Sequence, residues 1–190
     1  HWILSEAPGD WAIVAPTFAD ARDTCVEGES GLLSVIPREC IQTWNRSMGE
    51  LVLHNATRYK LFGTDEPDRL RGPQHGRAWC DELGSWRYAE TWDQMLFGLR
   101  LGTDPRVIVT TTPKPIPLIK SIAKHPRTIV TRGSTFDNAA NLAPAALAQL
   151  REKYEGTRLG RQELNAEILE SSENALWTLD MIEQARLSRP

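Results

Sequence analysis

The sequence has no Cys-x-x-Cys pair: its three cysteines, Cys25, Cys40 and Cys80, are odd in number and far apart. That spacing excludes a disulfide frame or a zinc knuckle and predicts free thiols in a reducing cytosol. No apolar run approaches about 18 residues, and no charged-then-apolar leader opens the chain, so nothing predicts membrane insertion or secretion. A Gly-x-Ser-x-Gly elbow, a paired-histidine helix and a Rossmann glycine pattern are all missing, and His54, His75 and His125 lack ligand spacing. Charge of one sign is not in excess either. With 22 Lys and Arg against 25 Asp and Glu, the net charge of −3 exerts no global pull on nucleic acid. Any DNA contact must then come from a local patch or from a domain outside these residues. One absence matters more than the rest. No Gly-Lys dipeptide occurs anywhere, so the chain holds no Gly-x-x-x-x-Gly-Lys-[Ser/Thr] loop of the kind that cradles phosphates.

What is present is an ordinary globular composition, 41% apolar and 25% charged over 190 residues, long enough for one full core. Trp11–Ala15 reads as a short buried strand, after which Pro16-Thr17 turns the chain into a helix around 19–26. Leu51–Leu53 and Tyr59–Phe62 read as strands joined by a polar turn at His54-Asn55. A polar loop over 65–73 carries Arg69 and Arg71, Arg77–Cys80 is a strand, and Trp92, Met95, Leu96 and Leu99 space out one face of the next helix. Arg106–Thr111 is predicted as a strand, 115–123 as a helix with proline near its first turn, and Thr128–Thr131 as a further strand. Helices are expected over 144–154, with Leu147, Leu150 and Tyr154 on one face, over 159–169, and briefly over 179–187 in a linker-like tail from Glu170. Strands alternating with helices at this spacing predict an α/β fold with a mainly parallel sheet and helices on both faces.

Ligands of an open parallel sheet sit at the carboxyl ends of its strands, and two chemical features fall there. The first is Asp81-Glu82, closing the run Arg77-Ala78-Trp79-Cys80. Adjacent acids at a strand tip suit nucleotide hydrolysis: one holds Mg²⁺ and the other polarises the water that attacks the γ-phosphoryl group. The dipeptide also occurs by chance and often marks a helix start. The second feature is Thr110-Thr111-Thr112, followed by Pro113. If its strand neighbours that of Asp81, its hydroxyls can sense the γ-phosphate through the same metal-bound water network; otherwise it is a solvated β-rich strand end. Arg71, in a Gly-Pro loop ahead of the Asp81 strand, could neutralise charge on a transferring phosphoryl group, or simply pair with Asp65, Glu66 or Asp68. Trp79, Trp86 and Trp92 suit packing at the core edge better than base stacking.

Taken together, these segments resemble the large terminase subunit, the DNA-packaging motor of tailed bacteriophages, prophages and gene transfer agents. The matching runs are 14–23 (VAPTFADARD), 26–33 (VEGESGLL), 66–74 (EPDRLRGPQ), 79–83 (WCDEL), 109–113 (VTTTP), 134–138 (STFDN) and 156–164 (GTRLGRQEL). The resemblance covers roughly Val14 to Trp177. It implies an additional-strand P-loop NTPase related to helicases, with ATP and Mg²⁺ as cofactors. Asp81 would be the Walker B metal ligand, Glu82 the catalytic base and Thr110–Thr112 the motif coupling hydrolysis to movement. Arg71 falls where some terminases place a finger acting on the neighbouring subunit's nucleotide.

Two departures bear on what the chain can do. The first strand and P-loop are expected upstream of His1, so that 1–170 is a truncated ATPase domain whose activity alone is in doubt. Residues 171–190 read as a linker toward an RNase H-like nuclease domain that these residues lack. The partners implied are double-stranded DNA, the portal protein, the small terminase subunit and further copies in a ring, with no membrane. The implied location is the bacterial host cytoplasm and, transiently, the procapsid portal. A helicase-like ATPase of another role and an inactive prophage remnant are the alternatives.

Overall fold

The computed structural model describes residues 8–168 together with Met181, Ala185 and Arg186. The tail from Glu170 and most of the helix expected over 179–187 lie outside these residues. Residues 1–111 and 112–190 form two separate units, each described by itself.

The first unit is built on one six-stranded sheet of order β2-β3-β4-β1-β5-β6. Its strands are β1 (Asp10–Ala15), β2 (Ile41–Asn45), β3 (Glu50–Leu53), β4 (Arg58–Gly63), β5 (Arg77–Asp81) and β6 (Arg106–Thr110). The four strands β4, β1, β5 and β6 run parallel, while β3 pairs antiparallel with both β4 and β2. β1 lies mid-sheet, and its run Trp11–Ala15 is buried throughout, as a strand covered on both faces requires. Trp11, Ile13, Leu51, Tyr59 and Leu61 form the centre of the core with Ala21, Cys25 and Val26. β2 is not expected from the sequence. Gln42, Thr43 and Asn45 leave it half exposed at the sheet edge, so it carries no apolar run.

A helical segment leaves β1 directly. Thr17 caps it, its hydroxyl accepting from the Asp20 N–H at 3.1 Å while the Asp20 carboxylate accepts from the Thr17 N–H at 3.0 Å. One α-helical turn, α1 (Phe18–Asp20), continues as a π-helical stretch over Ala21–Val26. The end of β4 is fastened to the start of this helix. Thr64 donates its N–H to the Ala15 carbonyl at 3.1 Å and its hydroxyl to the Pro16 carbonyl at 2.9 Å. Gly63 lies so close that a Cβ there would stand 2.6 Å from the Phe18 nitrogen. After a short α2 (Leu32–Val35), the chain enters the β2–β4 meander.

Between β5 and β6 runs α3 (Glu90–Gly98), whose buried face is Thr91, Met95 and Gly98. The expected face of Trp92, Met95, Leu96 and Leu99 is therefore rotated, with Leu96 41% exposed. The reason is His75, which is buried and bonds the Met95 carbonyl through Nε2 at 3.2 Å. That bond and the lack of a side chain on Gly98, where a Cβ would stand 2.6 Å from His75 Cε1, set the helix rotation.

The second unit contains α4 (Pro117–Lys124), a 3₁₀ stretch over Thr135–Asn141, α5 (Pro144–Tyr154) and α6 (Arg158–Glu163). Leu147, Leu150 and Tyr154 are the half-buried side of α5. α6 stops at Glu163, short of the expected 169, because Ala166 takes a left-handed φ of 52°. The strand expected over Thr128–Thr131 is not formed, and Ile129 is 92% exposed. Among the described residues this unit has no strand for it to pair with, and β-branched composition alone cannot make a ladder.

Candidate active site

The parallel strands place their ends in register. Ala15 stands beside Gly63, and Asp81 beside Thr110 on adjacent β5 and β6. The chain order also reverses here: β1 leads to β2, β3 and β4 on one side of itself, then to β5 and β6 on the other. A reversal of that kind opens a crevice at the carboxyl ends. An open cleft of about 420 Å³ lies there, lined by Thr24, Cys25, Gly28, Glu29 and Ser30 after β1 and by Trp79 and Asp81 of β5. The π-helical stretch supplies Thr24 and Cys25, in line with the frequent use of π-bulges at functional sites.

Asp81 is held from several directions. Thr110 donates its hydroxyl proton to Asp81 Oδ1 at 2.5 Å, and the Trp79 indole N–H donates to the same hydroxyl oxygen at 2.8 Å. The Trp86 indole N–H donates to the Asp81 carbonyl at 2.9 Å. Cys25 bonds the Asp81 carboxylate from the far wall; burial first, and then that carboxylate, push its thiol well above the ordinary range. Burial does the same to Cys80. Both sulfurs are therefore protonated thiols at neutral pH and not soft metal ligands.

Glu82 follows in a left-handed conformation, φ 47°, and leads into a 3₁₀ turn over Leu83–Ser85. A non-glycine residue there is uncommon and turns the chain sharply at the strand tip. The Thr111 hydroxyl accepts from the Gly84 N–H at 2.8 Å, which ties the end of β6 to that turn. Thr112 begins the second unit.

The structure thus brings Asp81, Thr110 and Thr111 together around one strand tip, with Glu82 next in the chain. Arg71 is not among the residues lining the cleft. It caps the 3₁₀ stretch Pro67–Leu70, is largely exposed and pairs with Asp68 at 3.6 Å. Trp79 and Trp86, whose sequence positions suit packing, both turn their indoles to bonds in the Asp81 region. Period-two spacing carried the signal for one of them, because residues 79 and 81 of a strand share a face.

Among the described residues no three His, Cys, Asp or Glu side chains gather as a metal cage. The oxygens at hand are the carboxylates of Asp81 and Glu29 and the hydroxyls of Thr24, Ser30 and Thr110. Such a set fits Mg²⁺, which keeps several waters and takes one or two carboxylates plus substrate phosphates.

The family description "terminase large subunit, T4likevirus-type, N-terminal" matches residues 1–184. The chain belongs to that family. Comparison with curated proteins gave no match. Among solved structures it is similar to the large terminase ATPase domain of Thermus phage P74-26, at 18% identity and a TM-score of 0.58, over 88% of this chain and 79% of that one. It is also similar to the large terminase of thermophilic bacteriophage D6E in complex with ATP-γ-S, at 11% identity and a TM-score of 0.69, over 90% and 42%. The ADP complex of the D6E protein gives 10% and 0.69, over 90% and 44%. This family member thus spans under half the length of the D6E terminase, and at such identities the likeness establishes the shared α/β fold.

Proposed function

We propose that this chain is part of the ATP-hydrolysing motor of a phage-type large terminase, which moves double-stranded DNA into a procapsid. The observation that carries the reading is the pairing of Asp81 with Thr110 at the tips of adjacent parallel strands, with Glu82 next in the chain. Asp81 would hold the Mg²⁺ that accompanies ATP. The ion, when bound, neutralises charge on the phosphate oxygens. Glu82 orients the attacking water and takes its proton. Thr110–Thr112 register the γ-phosphate and pass its loss to the chain beyond. Arg71 reaches the nucleotide of the next subunit in a ring.

In this reading residues 1–170 belong to the motor domain and 171–190 lead toward a nuclease domain. The portal and the small subunit are the remaining partners, in the host cytoplasm and at the portal. No helix among the described residues is long and apolar enough to cross a membrane. The 190 residues carry no phosphate-cradling loop of their own, so by themselves they bind ATP only in the millimolar range, about −4 kcal/mol.

The test is a packaging assay with the intact terminase that contains these residues. Procapsids, linear duplex and ATP are expected to yield nuclease-protected DNA, and Asp81→Asn is expected to abolish it. Protection that persists with Asp81→Asn, or with a non-hydrolysable ATP analogue, would overturn the reading.

A further inference from the structure

The chain is net −3, yet no Asp or Glu occurs between Asp104 and Asp137, a stretch that holds Arg106, Lys114, Lys120, Lys124, Arg127 and Arg132. Most of these cations fall on one short part of the second unit. α4 turns Ile119 into the interior, and Ile122 and Ala123 are half-buried beside it. Lys120, itself half-buried, and Lys124, exposed and four residues on, share one flank of the helix. Arg127 sits within a turn of the helix end, since its N–H donates to His125 Nδ1 at 3.2 Å and the Thr128 N–H donates to the His125 carbonyl at 2.9 Å. The chain then runs through an exposed, unpaired stretch to Arg132. Lys120, Arg127 and Arg132 form no ion pair among the described residues.

A structural role covers only part of this. A cation at a helix C-terminus offsets the macrodipole, which accounts for Lys124, but that effect fades within the last turn. It leaves Lys120, Arg127 and Arg132 unexplained. It also leaves unexplained why no acid interrupts the stretch, when acids outnumber bases in the chain as a whole. Cations spaced along a helix and an extended segment match a linear polyanion. Duplex DNA offers one phosphate charge per about 1.7 Å of axis, and lysines bind it as point charges that read no base. Nine residues lie between Thr110 and Lys120, so the stretch comes soon after the threonines that neighbour Asp81 in the sequence.

We infer that α4 and the segment after it, through Lys120, Lys124, Arg127 and Arg132, form a sequence-neutral contact for the phosphate backbone of double-stranded DNA. This rests on the packaging reading for its choice of polyanion. A motor that moves any sequence needs a grip that ignores sequence.

The test uses the 190-residue chain without nucleotide, so its outcome is separate from that of the packaging assay. Fluorescence anisotropy follows binding of two labelled duplexes of unrelated sequence from about 50 to 200 mM NaCl. The parent is expected to bind both alike, weakening steeply with salt. Replacing all four cations by glutamine should weaken binding at low salt by more than tenfold. It should also reduce the log–log salt slope by about 3 to 4, close to 0.9 for each phosphate no longer neutralised. Arg132→Gln, in the exposed segment, should alone remove about one unit of slope, which keeps the test valid if the fourfold variant does not fold. Lys120→Arg with Lys124→Arg should retain the parental slope, as should Arg38→Gln with Arg69→Gln. The inference is overturned if the parent ignores duplex at low salt, if both the fourfold variant and Arg132→Gln keep the parental slope, or if single-stranded RNA binds as tightly as duplex.

Discussion

Thr110 gives its one hydroxyl proton to Asp81 Oδ1 at 2.5 Å, and Trp79, donating to the hydroxyl oxygen at 2.8 Å, leaves that proton no competing direction. An indole N–H can only donate, so the order of the relay is fixed: Trp79 to Thr110 to Asp81. Among the described residues the carboxylate is thereby oriented by neutral groups, without a cation that would compete with a bound metal.

The relay can be read out by NMR. Thr110→Val should move the Trp79 indole N–H resonance upfield, where indole protons without an acceptor appear. Thr110→Ser should restore it, and Asp81→Asn should shift it less than Thr110→Val does. The stability lost with Thr110→Val should be about 1–3 kcal/mol, the ordinary worth of the two hydrogen bonds removed. An indole resonance indifferent to Thr110→Val would dismiss the relay.

His75 makes stability depend on pH. Burial lowers its pKa below the ordinary value of 6.5, against the opposing pull of the Met95 carbonyl. Below that ordinary value the unfolded chain gains a proton that the folded chain still refuses, so the unfolded state binds more protons and stability falls as pH falls. Urea midpoints taken from pH 7 down to pH 5 should therefore decline, and His75→Asn should flatten the decline whatever its absolute stability. Parallel slopes for the two proteins would show that other groups govern the acid response.

Gly63 marks where the end of β4 meets the start of α1. A methyl group at Gly63 would stand 2.6 Å from the Phe18 nitrogen and 3.0 Å from the Thr17 carbonyl carbon, both backbone atoms that cannot swing aside. Gly63→Ala should cost about 1–3 kcal/mol. Gly72→Ala, where a Cβ meets nothing within 4 Å, should be close to neutral. Thermal melts of the two variants decide it, and equal midpoints would show that the strand end yields.

Arg71 pairs with Asp68 in this chain, leaving the guanidinium largely exposed and available to a neighbour. In intact terminase, Arg71→Ala subunits should bind ATP normally but hydrolyse poorly in rings, by about 10³–10⁵-fold, the range of arginine fingers. Mixing them with Glu82→Gln subunits should recover part of the activity, wherever an intact Arg71 faces an intact Glu82. No recovery in rings shown to be mixed would return Arg71 to a loop residue paired with its acidic neighbour.

Much of this architecture is legible in the sequence, for physical reasons. β1 stands out because a buried parallel strand needs a near-continuous apolar run, and β4, β5 and β6 because each keeps a shorter apolar or β-branched run, two of which close on Asp81-Glu82 and Thr110–Thr112. β2 escapes notice because an edge strand keeps polar side chains. Thr128–Thr131 misleads in the opposite direction, since its strand composition finds no partner among the described residues of its unit. The helix over 90–98 is located, but its rotation depends on buried His75, a neighbour across the fold that periodicity cannot show. For the same reason, the bond from Trp79 to Thr110 emerges only once β5 and β6 lie side by side.

The most direct test of the central claim is single-turnover hydrolysis by Glu82→Gln in intact terminase. ATP binding should match that of the parent, while hydrolysis slows by about 10²–10⁴-fold, the usual worth of a positioned base. Parental turnover in Glu82→Gln would contradict the account and reduce Glu82 to a carboxylate at a strand end.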